Sequence, residues 1–450
     1  MLKSLIQIRE YGTIAEGIRL QQDSSDFREI DSSTFSSLIR FIEEQSSKSD
    51  FEYAFVIYRK SGRRHIRVKN YVGVIETSSG TTLEILPKLF NDTGGINIAK
   101  SKVIFIRMLK ALYESPYIRV GSAHLETIDN FPIFEFFIQN YLAELEYSTR
   151  GGLTSSYINE EKNSTFLRGK ILITENIKYN SFSHNKFFCQ FDEFSSNTPF
   201  NKILKTTLRH LMLRTRSSAS KRRLLTLMSH FENTEYSVNI IDDFEKCNKD
   251  LRIRFKFQKL LEWSEVFLTG KSFGNFIGSV SNFSMLFPME KLFENYICHL
   301  IKRYCSGISI KAQDRRFSLV GQKATSGDIH YSTKLFNLRP DIVLNDNLAI
   351  LDAKWKILNE NIKKFNISEA DVYQMHAYGR RYQQSSPINT PPRLGLIYPM
   401  NPNFNKDLLQ MRFGSDMYLD VIPIDLSINP AIEISRVVNK FLTNLSAEIA

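Results

Sequence analysis

The spacing of hydrophobic and polar positions changes along the chain and divides it into three regions. Residues 1–100 contain short runs rich in Val, Ile, Tyr and Phe that Ser-Gly turns interrupt, which predicts β-strands. From 101 to 285 the apolar positions recur mostly at helical spacing, for example over 199–216 and 252–268. Residues 286–450 mix both patterns. We therefore predict a multi-domain α/β chain with a β-rich N-terminal domain, a mainly helical central region and a C-terminal α/β domain.

A β-hairpin predicted in the third region has charged residues among apolar ones. The sequence RPDIVLNDNLAILDAKWKIL, residues 339–358, contains two runs rich in Val, Ile and Leu that a turn-forming Asp-Asn pair separates. If those two residues form the loop, Val343 pairs with Ile350 and Asp341 lies opposite Asp352. The two carboxylates would then face each other across the strand pair.

Side chains alternate along a strand, so this register puts Asp341, Asp352 and Lys354 on one face. Opposed like charges destabilise a strand pair unless something neutralises them. Mg²⁺ does so, because it binds through one or two carboxylates together with water and substrate phosphate. The alternative is a surface hairpin in which Lys354 pairs with an aspartate. Apolar residues on both faces favour a strand that is covered on both sides, whereas a one-residue slip would separate the two aspartates.

The residues around this hairpin resemble the motif of PD-(D/E)xK nucleases. Pro340-Asp341 is followed by Asp352-Ala353-Lys354, as the motif requires. The resemblance implies that the two aspartates hold Mg²⁺ and that the lysine orients a water molecule or stabilises charge in the transition state. The implied reaction is hydrolysis of a DNA phosphodiester.

The predicted elements follow the order αβββαβ of that restriction-endonuclease-like fold. They are a helix at 287–305, a strand at 307–320, the hairpin, a helix at 368–384 and a strand at 393–400. Gln374 and Tyr378, one turn apart on the second helix, resemble the Gln-x-x-x-Tyr element of one branch of these nucleases and are expected at the active site. Many nucleases of this fold add a glutamate from the first helix to the metal site. Glu294 is our candidate, with Glu290 as the alternative.

Segments outside the nuclease part resemble McrC-type proteins. They are GTTLEILPKLF at 80–90, the stretch at 150–177, and FDEFSSNTPFNKILKTTLRHLM at 191–212. DVYQMHAYGRRY, at 371–382, resembles the helix that follows the lysine in this family. The chain is therefore identified as a member of the McrC family, with matches from about residue 70 to about 400.

This resemblance implies a nuclease subunit that acts with a partner. McrC-type proteins cleave DNA, methylated DNA in the McrBC-type restriction systems, together with a hexameric McrB-type AAA+ GTPase whose GTP hydrolysis they stimulate. Two alternatives remain open. The partner of this chain reads unmodified DNA sequence, or the chain serves mainly as a scaffolding and activating subunit.

Composition is compatible with an anionic partner. Hydrophobic residues make up 42% and charged residues 24% of the 450 residues, which is ordinary for a globular protein with sizeable cores. The net charge of +11 favours a polyanion such as double-stranded DNA. The basic stretches 59–69 and 209–225 are candidate contacts with DNA or a partner, and equally candidate solvated surfaces.

Missing patterns exclude other functions. Gly270-Lys271-Ser272 lacks the glycine five residues earlier that a phosphate loop needs, because position 265 is Glu. GTP is therefore expected on the partner and not on this chain. No segment approaches about 20 consecutive apolar residues, and the first residues contain no signal-peptide-like apolar run. We expect a cytoplasmic protein without membrane contact. The four cysteines lack zinc-site spacing.

Overall fold

The computed structural model describes residues 5–17, 26–46, 54–77, 81–89, 98–113, 132–182, 185–269, 284–326, 329–385, 390–408 and 411–442. Contacts group them into two compact units. Unit 1 contains the described residues of 1–115 and 285–450, and unit 2 contains those of 132–284. Contacts join the described residues of the first and third predicted regions in one unit. Whether the chain divides into domains at residues 100 and 285 is a separate question, and that division stays a prediction.

The first part of unit 1 is rich in strands. Its elements are β1 (Leu5–Arg9), β2 (Thr13–Glu16), β3 (Phe27–Ile30), α1 (Ser32–Ser46), β4 (Phe55–Lys60), β5 (Arg63–Val68), β6 (Tyr71–Glu76), β7 (Thr82–Leu86) and α2 (Ile98–Tyr113). Strands β3-β2-β5-β4 form one sheet in that order, and β1-β7-β6 form another. Every residue of β7 is buried, as expected for a strand covered on both faces.

Unit 2 combines helices with a small sheet. Its elements are α3 (Ile133–Ser148), β8 (Ser156–Ser164), β9 (Lys170–Ile171), α4 (Ile173–Asn180), β10 (Phe187–Ser195), α5 (Pro199–Met212), α6 (Ser218–Ser229), α7 (Ile240–Lys249) and α8 (Leu251–Thr269). The sheet has the order β8-β10-β9. Helices α5 to α8 pack together, and the ring of Phe200 stacks on that of Phe257 at a centroid distance of 4.7 Å.

The remainder of unit 1 is an α/β sheet with flanking helices. Its elements are β11 (Ser284–Pro288), α9 (Met289–Tyr304), β12 (Ile310–Ala312), β13 (Ser318–Ser326), β14 (Ile329–Asn337), β15 (Ile342–Leu344), β16 (Ala349–Ala353), α10 (Glu369–Gln383), β17 (Arg393–Pro399), β18 (Met411–Phe413), β19 (Met417–Ile424) and α11 (Pro430–Leu442). Strand β11 adds to β6, and the main sheet has the order β12-β15-β16-β17-β19-β18. Strands β16, β17 and β19 run parallel.

The single strand predicted at 307–320 is wrong, because the chain leaves the sheet after β12. Gln313 adopts the left-handed backbone conformation, with a φ of 47°. The Asp314 carboxylate then accepts hydrogen bonds from Arg316 and from the Tyr382 hydroxyl. Strand β13 pairs instead with β14 in a separate hairpin. The observed order is thus helix, strand, inserted hairpin, two strands, helix and strand.

The hairpin β15–β16 has the predicted register and a different loop. Val343 pairs with Ile350 in an antiparallel ladder. The connection is a short 3₁₀ turn at Asn345–Asn347 in which all three residues have positive φ. Both strands are fully buried, and the Val343 and Ile350 side chains belong to the core that α10 covers. Apolar residues on both faces therefore reflect helices on both sides of the sheet.

Within the described residues, no helix combines the length and apolar character needed to cross a bilayer.

We expect Gly395→Ala to destabilise the chain by about 1–3 kcal/mol, because overpacking a core forces neighbours to shift. A Cβ on Gly395 in β17 would lie 2.5 Å from Phe441 Cζ and 2.7 Å from Leu351 Cδ2. Gly17→Ala, directly after β2, is the matched control, because the atoms nearest to a Cβ at that position are 3.4–3.5 Å away, which is ordinary van der Waals contact. Urea unfolding compares the two variants. An equal or smaller loss for Gly395→Ala would contradict the packing described here.

Candidate functional site

Asp341 and Asp352 lie opposite each other at one end of the hairpin β15–β16. The ladder ends with the pair Ile342 and Leu351, and the next residues along the same register are the two aspartates. They are only 8% and 1% exposed. The backbone N–H of Ala353 donates a 2.9 Å hydrogen bond to Asp341 Oδ2. The predicted juxtaposition of these two carboxylates is therefore present.

Burial and mutual repulsion disfavour two charges at this point. Burial, the neighbouring Asp352 carboxylate and then the Glu294 carboxylate raise the pKa of Asp341 to about 8. Burial also raises the pKa of Asp352, although the Lys354 ammonium opposes this shift. A raised carboxyl pKa means that the folded protein disfavours the ionised form. The site therefore needs further positive charge when both aspartates are ionised.

Lys354 supplies one such charge and connects the aspartates to helix α10. Its Nζ lies 2.5 Å from Asp352 Oδ2 and donates a 3.0 Å hydrogen bond to Gln374 Oε1. Gln374 Nε2 donates in turn to the Tyr378 hydroxyl at 2.8 Å. Burial lowers the pKa of Lys354, but the Asp352 and Asp341 carboxylates outweigh it and raise that pKa above its ordinary value. Burial raises the pKa of Tyr378 to about 12, so both groups stay protonated at neutral pH.

The two candidate glutamates of α9 have different surroundings. Glu294 is buried, and its carboxylate is close enough to raise the pKa of Asp341. Its Oε2 accepts a 2.9 Å hydrogen bond from Lys291 Nζ. Glu290 is exposed, and its charge acts on Glu10 instead. The structure thus brings Glu294 toward the aspartates and leaves Glu290 beside a different cluster.

Further charged residues beside the site were missed by the sequence analysis. Asp371 is buried on α10, and its charge raises the pKa of Asp352. Its Oδ2 accepts hydrogen bonds from Lys356 Nζ at 2.6 Å and from the Tyr398 hydroxyl at 3.3 Å. The available signal was spacing: Asp371 lies one helical turn before Gln374, on the same side of the helix.

The donor set suits Mg²⁺ better than a metal that needs many protein ligands. Among the described residues, no group of three or more His, Cys, Asp or Glu side chains is arranged around a common metal position. Two carboxylates are nevertheless enough for Mg²⁺, which keeps several water ligands. Asp352 Oδ2 is buried and has no hydrogen-bond partner in the described part of the chain. Lys354 Nζ lies beside it as an ion pair, and a carboxylate oxygen that faces one ammonium still has a lone pair available for a metal.

The two basic stretches are partly neutralised by nearby acids. In 59–69, Arg64 pairs with Glu16 at 2.8 Å. In 209–225, Arg223 pairs with Glu146 at 2.7 Å. Contact of either stretch with DNA or a partner stays a prediction.

Comparison with known proteins gives a family match. The model of the family described as "McrBC 5-methylcytosine restriction system component" matches residues 66–399, which is more than half of the chain. This range contains every candidate site residue discussed above. No curated protein matches the chain.

Solved structures add a likeness of fold. A chain of the refined half-complex from the tetradecameric assembly of Thermococcus gammatolerans McrB AAA+ hexamers with bound McrC is similar with a TM-score of 0.66 at 18% identity. The match covers 97% of this chain and 100% of that one. A chain of the cryo-EM structure of the Thermococcus gammatolerans McrBC complex matches with a TM-score of 0.47 at 19% identity, over 67% of this chain and 88% of that one.

We expect Asp341→Asn to stabilise the metal-free protein more at about pH 8 than at about pH 4.5. Because the folded-state pKa of Asp341 is raised, the unfolded chain ionises this group first and wild-type stability falls as pH rises toward 8. Asparagine does not titrate. Urea unfolding is measured with a chelator present. The increase in the free energy of unfolding that Asp341→Asn causes should be larger at pH 8 than at pH 4.5 by more than about 1 kcal/mol. The exposed Asp346, whose pKa is lowered by Lys311, provides the control Asp346→Asn. A gain that is the same at both pH values would contradict the raised pKa.

Proposed function

Because the chain belongs to the family of McrBC 5-methylcytosine restriction system components, we propose that it is the McrC-type nuclease subunit of such a system and cleaves DNA with Mg²⁺. The observation that carries this proposal is the buried pair Asp341 and Asp352 with Lys354 beside it. An acid pair of this kind destabilises a fold unless a cation binds there. The family description makes methylated double-stranded DNA the proposed substrate.

The arrangement of elements supports a PD-(D/E)xK fold for the C-terminal part. Helix α9, strands β12, β15 and β16, helix α10 and strand β17 follow one another along the chain in the order αβββαβ once the inserted hairpin β13–β14 is set aside. In this fold the acidic residues lie on the central hairpin and the lysine follows two residues after the second acid. Asp341, Asp352 and Lys354 have these positions.

The proposed metal ligands are Asp341, Asp352 and Glu294, whose carboxylate is near enough to raise the pKa of Asp341. When bound, Mg²⁺ would polarise the scissile phosphate and acidify a water molecule. The Ala353 N–H holds the Asp341 carboxylate in one orientation. Because the two carboxylates are held by adjacent strands, their spacing is fixed before DNA arrives, which is the preorganisation that catalysis requires.

Lys354 is assigned an electrostatic role. Its raised pKa keeps the ammonium charged at neutral pH, so it is poorly suited to accept a proton from water. A fixed positive charge instead stabilises the negative charge that develops on the phosphate during hydrolysis. Gln374 accepts a hydrogen bond from Lys354 Nζ, and Tyr378 orients the Gln374 amide. Gln374 and Tyr378 thus hold the Lys354 side chain in its position beside the aspartates.

The partner proposed for this chain is a hexameric McrB-type AAA+ GTPase. The similar structure contains McrB AAA+ hexamers with bound McrC, and the likeness of fold extends over nearly all of this chain. The partner would bind GTP, because the sequence Gly270-Lys271-Ser272 lacks a complete phosphate loop; these residues lie outside the described part. Stimulation of GTP hydrolysis and a cytoplasmic location belong to the same proposal.

Unit 2 exposes an apolar surface that suits a protein partner. Helix α4 is held to the sheet by its polar side: Asn176 Oδ1 accepts from the Phe188 N–H at 2.9 Å, and Asn180 exchanges hydrogen bonds with Asn163 at 2.8 and 2.9 Å. Its apolar residues therefore face outward. The large hydrophobic residues exposed on this helix, on its neighbouring strands and in the loops between them are Tyr157, Phe166, Leu167, Ile173, Ile177, Tyr179, Phe182 and Phe194. Exposed aromatic residues of this kind are enriched at protein interfaces.

We expect Lys354→Ala to reduce DNA cleavage by about a hundredfold or more, since a transition-state charge loses its stabilising group. Cleavage of methylated plasmid is measured with the GTPase partner, GTP and Mg²⁺, and partner binding is measured in parallel. Lys311→Ala is the matched control, because Lys311 pairs with the exposed Asp346 at the hairpin tip. Cutting at the wild-type level by Lys354→Ala would reject the assigned role.

We expect the double substitution Ile173→Ser, Ile177→Ser to weaken partner binding by about tenfold or more while leaving the fold intact, because both side chains are already exposed, at 69% and 63%. The matched control is Leu251→Ser, Phe255→Ser, an exposed apolar pair with the same spacing on α8 in the same unit. Affinity is measured by calorimetry with the purified partner. Equal losses in both double variants would show that α4 is not the specific contact.

A further inference from the structure

A buried hydrogen-bond cluster joins the end of β1 to the residue after Lys354. Glu10 directly follows β1, and its N–H donates to Leu86 O at 2.9 Å. Its Oε1 accepts hydrogen bonds from Trp355 Nε1 at 2.7 Å and from the Lys88 N–H at 3.0 Å. Glu10 and Trp355 are 2% and 1% exposed, so water does not compete for these bonds. The cluster connects positions that are 345 residues apart.

Trp355 is held from more than one side. The Trp355 and Phe293 rings are 5.3 Å apart between centroids and tilted by 58°. The Trp355 carbonyl oxygen lies 3.5 Å from Lys88 Nζ, which donates to it. Burial of an indole N–H without an acceptor is unfavourable, because the group loses its hydrogen bond to water, and Glu10 supplies the acceptor. The carboxylate therefore determines whether this ring is stable in its buried position.

The segment that carries Lys354 lies beyond the regular ladder of β16, which ends at Ala353. The Lys354 N–H still donates to Ile397 O at 2.9 Å, and the Lys356 N–H donates to Lys354 O at 3.0 Å in a tight turn. At the next two residues, side chains hold the backbone: Asn366 Nδ2 donates to Ile357 O and Asn401 Nδ2 donates to Leu358 O, both at 3.2 Å. Because Lys354 and Trp355 are consecutive, a shift of the indole moves the backbone from which the lysine projects.

We propose that Glu10 is a positioning residue: through the Trp355 indole it fixes the segment that carries Lys354, and it makes DNA cleavage depend on the sheet β1-β7-β6-β11. This inference rests on the proposed nuclease function. Glu10 Oε2 is buried and has no hydrogen-bond partner among the described residues. Both side-chain hydrogen bonds that Glu10 accepts use Oε1, so the oxygen of a glutamine at this position keeps both, while its amide nitrogen takes the place of Oε2 and its charge is lost.

The kinetic test compares Glu10→Ala, Trp355→Phe, the double variant and Glu10→Gln. Each of the first two should lower the single-turnover cleavage rate by about tenfold or more, with DNA affinity little changed, because a small misplacement of a catalytic group is costly. The double variant should be no slower than the slower single variant, since both remove the same bond. Glu10→Gln should remain within about threefold of wild type. Trp263→Phe, in unit 2, is the matched control.

Amide hydrogen exchange measured by mass spectrometry tests the structural part without any activity. The peptide spanning 350–358 should exchange faster in Glu10→Ala and Trp355→Phe than in wild type, and at the wild-type rate in Glu10→Gln. The peptide spanning 394–400 reports on general loosening of the sheet. If Glu10→Ala does not fold, Trp355→Phe alone carries the comparison.

The outcomes separate the two proposals. Unchanged exchange at 350–358 overturns the role of Glu10 whether or not the protein cuts DNA. If the variants exchange faster at 350–358 but cleave DNA at the wild-type rate, the bond between Glu10 and Trp355 is purely structural. This result also overturns the role of Glu10 as a positioning residue. A wild-type protein that cuts no DNA with partner, GTP and Mg²⁺ instead refutes the proposed nuclease function, and the catalytic half of this inference with it.

Discussion

Two like charges buried side by side are the constraint around which the C-terminal part of this protein is built. Asp341 and Asp352 lie on adjacent strands, where repulsion and loss of hydration both oppose ionisation. The backbone N–H of Ala353 donates a hydrogen bond to the Asp341 carboxylate, and the Lys354 ammonium forms an ion pair with Asp352. Neither contact provides a second positive charge. This unmet demand for positive charge supports the proposal that a divalent cation binds here, and a cation held in this position would in turn attract a DNA phosphate.

Local patterns were sufficient to predict the centre of this arrangement. The assumption of a two-residue loop at Asp346 and Asn347 gave the pairing of Val343 with Ile350, and the structure has this pairing although its loop is the turn at Asn345–Asn347. The family resemblance is confirmed by the match over 66–399. Local patterns failed where the backbone takes unusual conformations: Gln313 interrupts the strand predicted at 307–320, since its left-handed φ cannot continue a ladder.

The missing parts of the site depend on packing between distant segments. Glu294 and Glu290 are four residues apart on one helix, and only the tertiary structure decides which of them faces the aspartates. In the sequence, Asp371 is an ordinary acidic residue in the first turn of a helix. Only the structure shows that Lys356 and Tyr398 donate hydrogen bonds to it. The bond between Glu10 and Trp355 could not be predicted from the sequence, because no periodic pattern links residues 345 positions apart.

Anomalous diffraction from crystals of the protein soaked with Mn²⁺, a substitute for Mg²⁺ that the X-ray experiment can identify, tests the central claim most directly. The account predicts a Mn²⁺ peak within bonding distance of carboxylate oxygens of both Asp341 and Asp352, and loss of that peak in Asp352→Asn. No peak at saturating Mn²⁺, or the same peak in the variant, would contradict the assignment of this buried acid pair as a metal site.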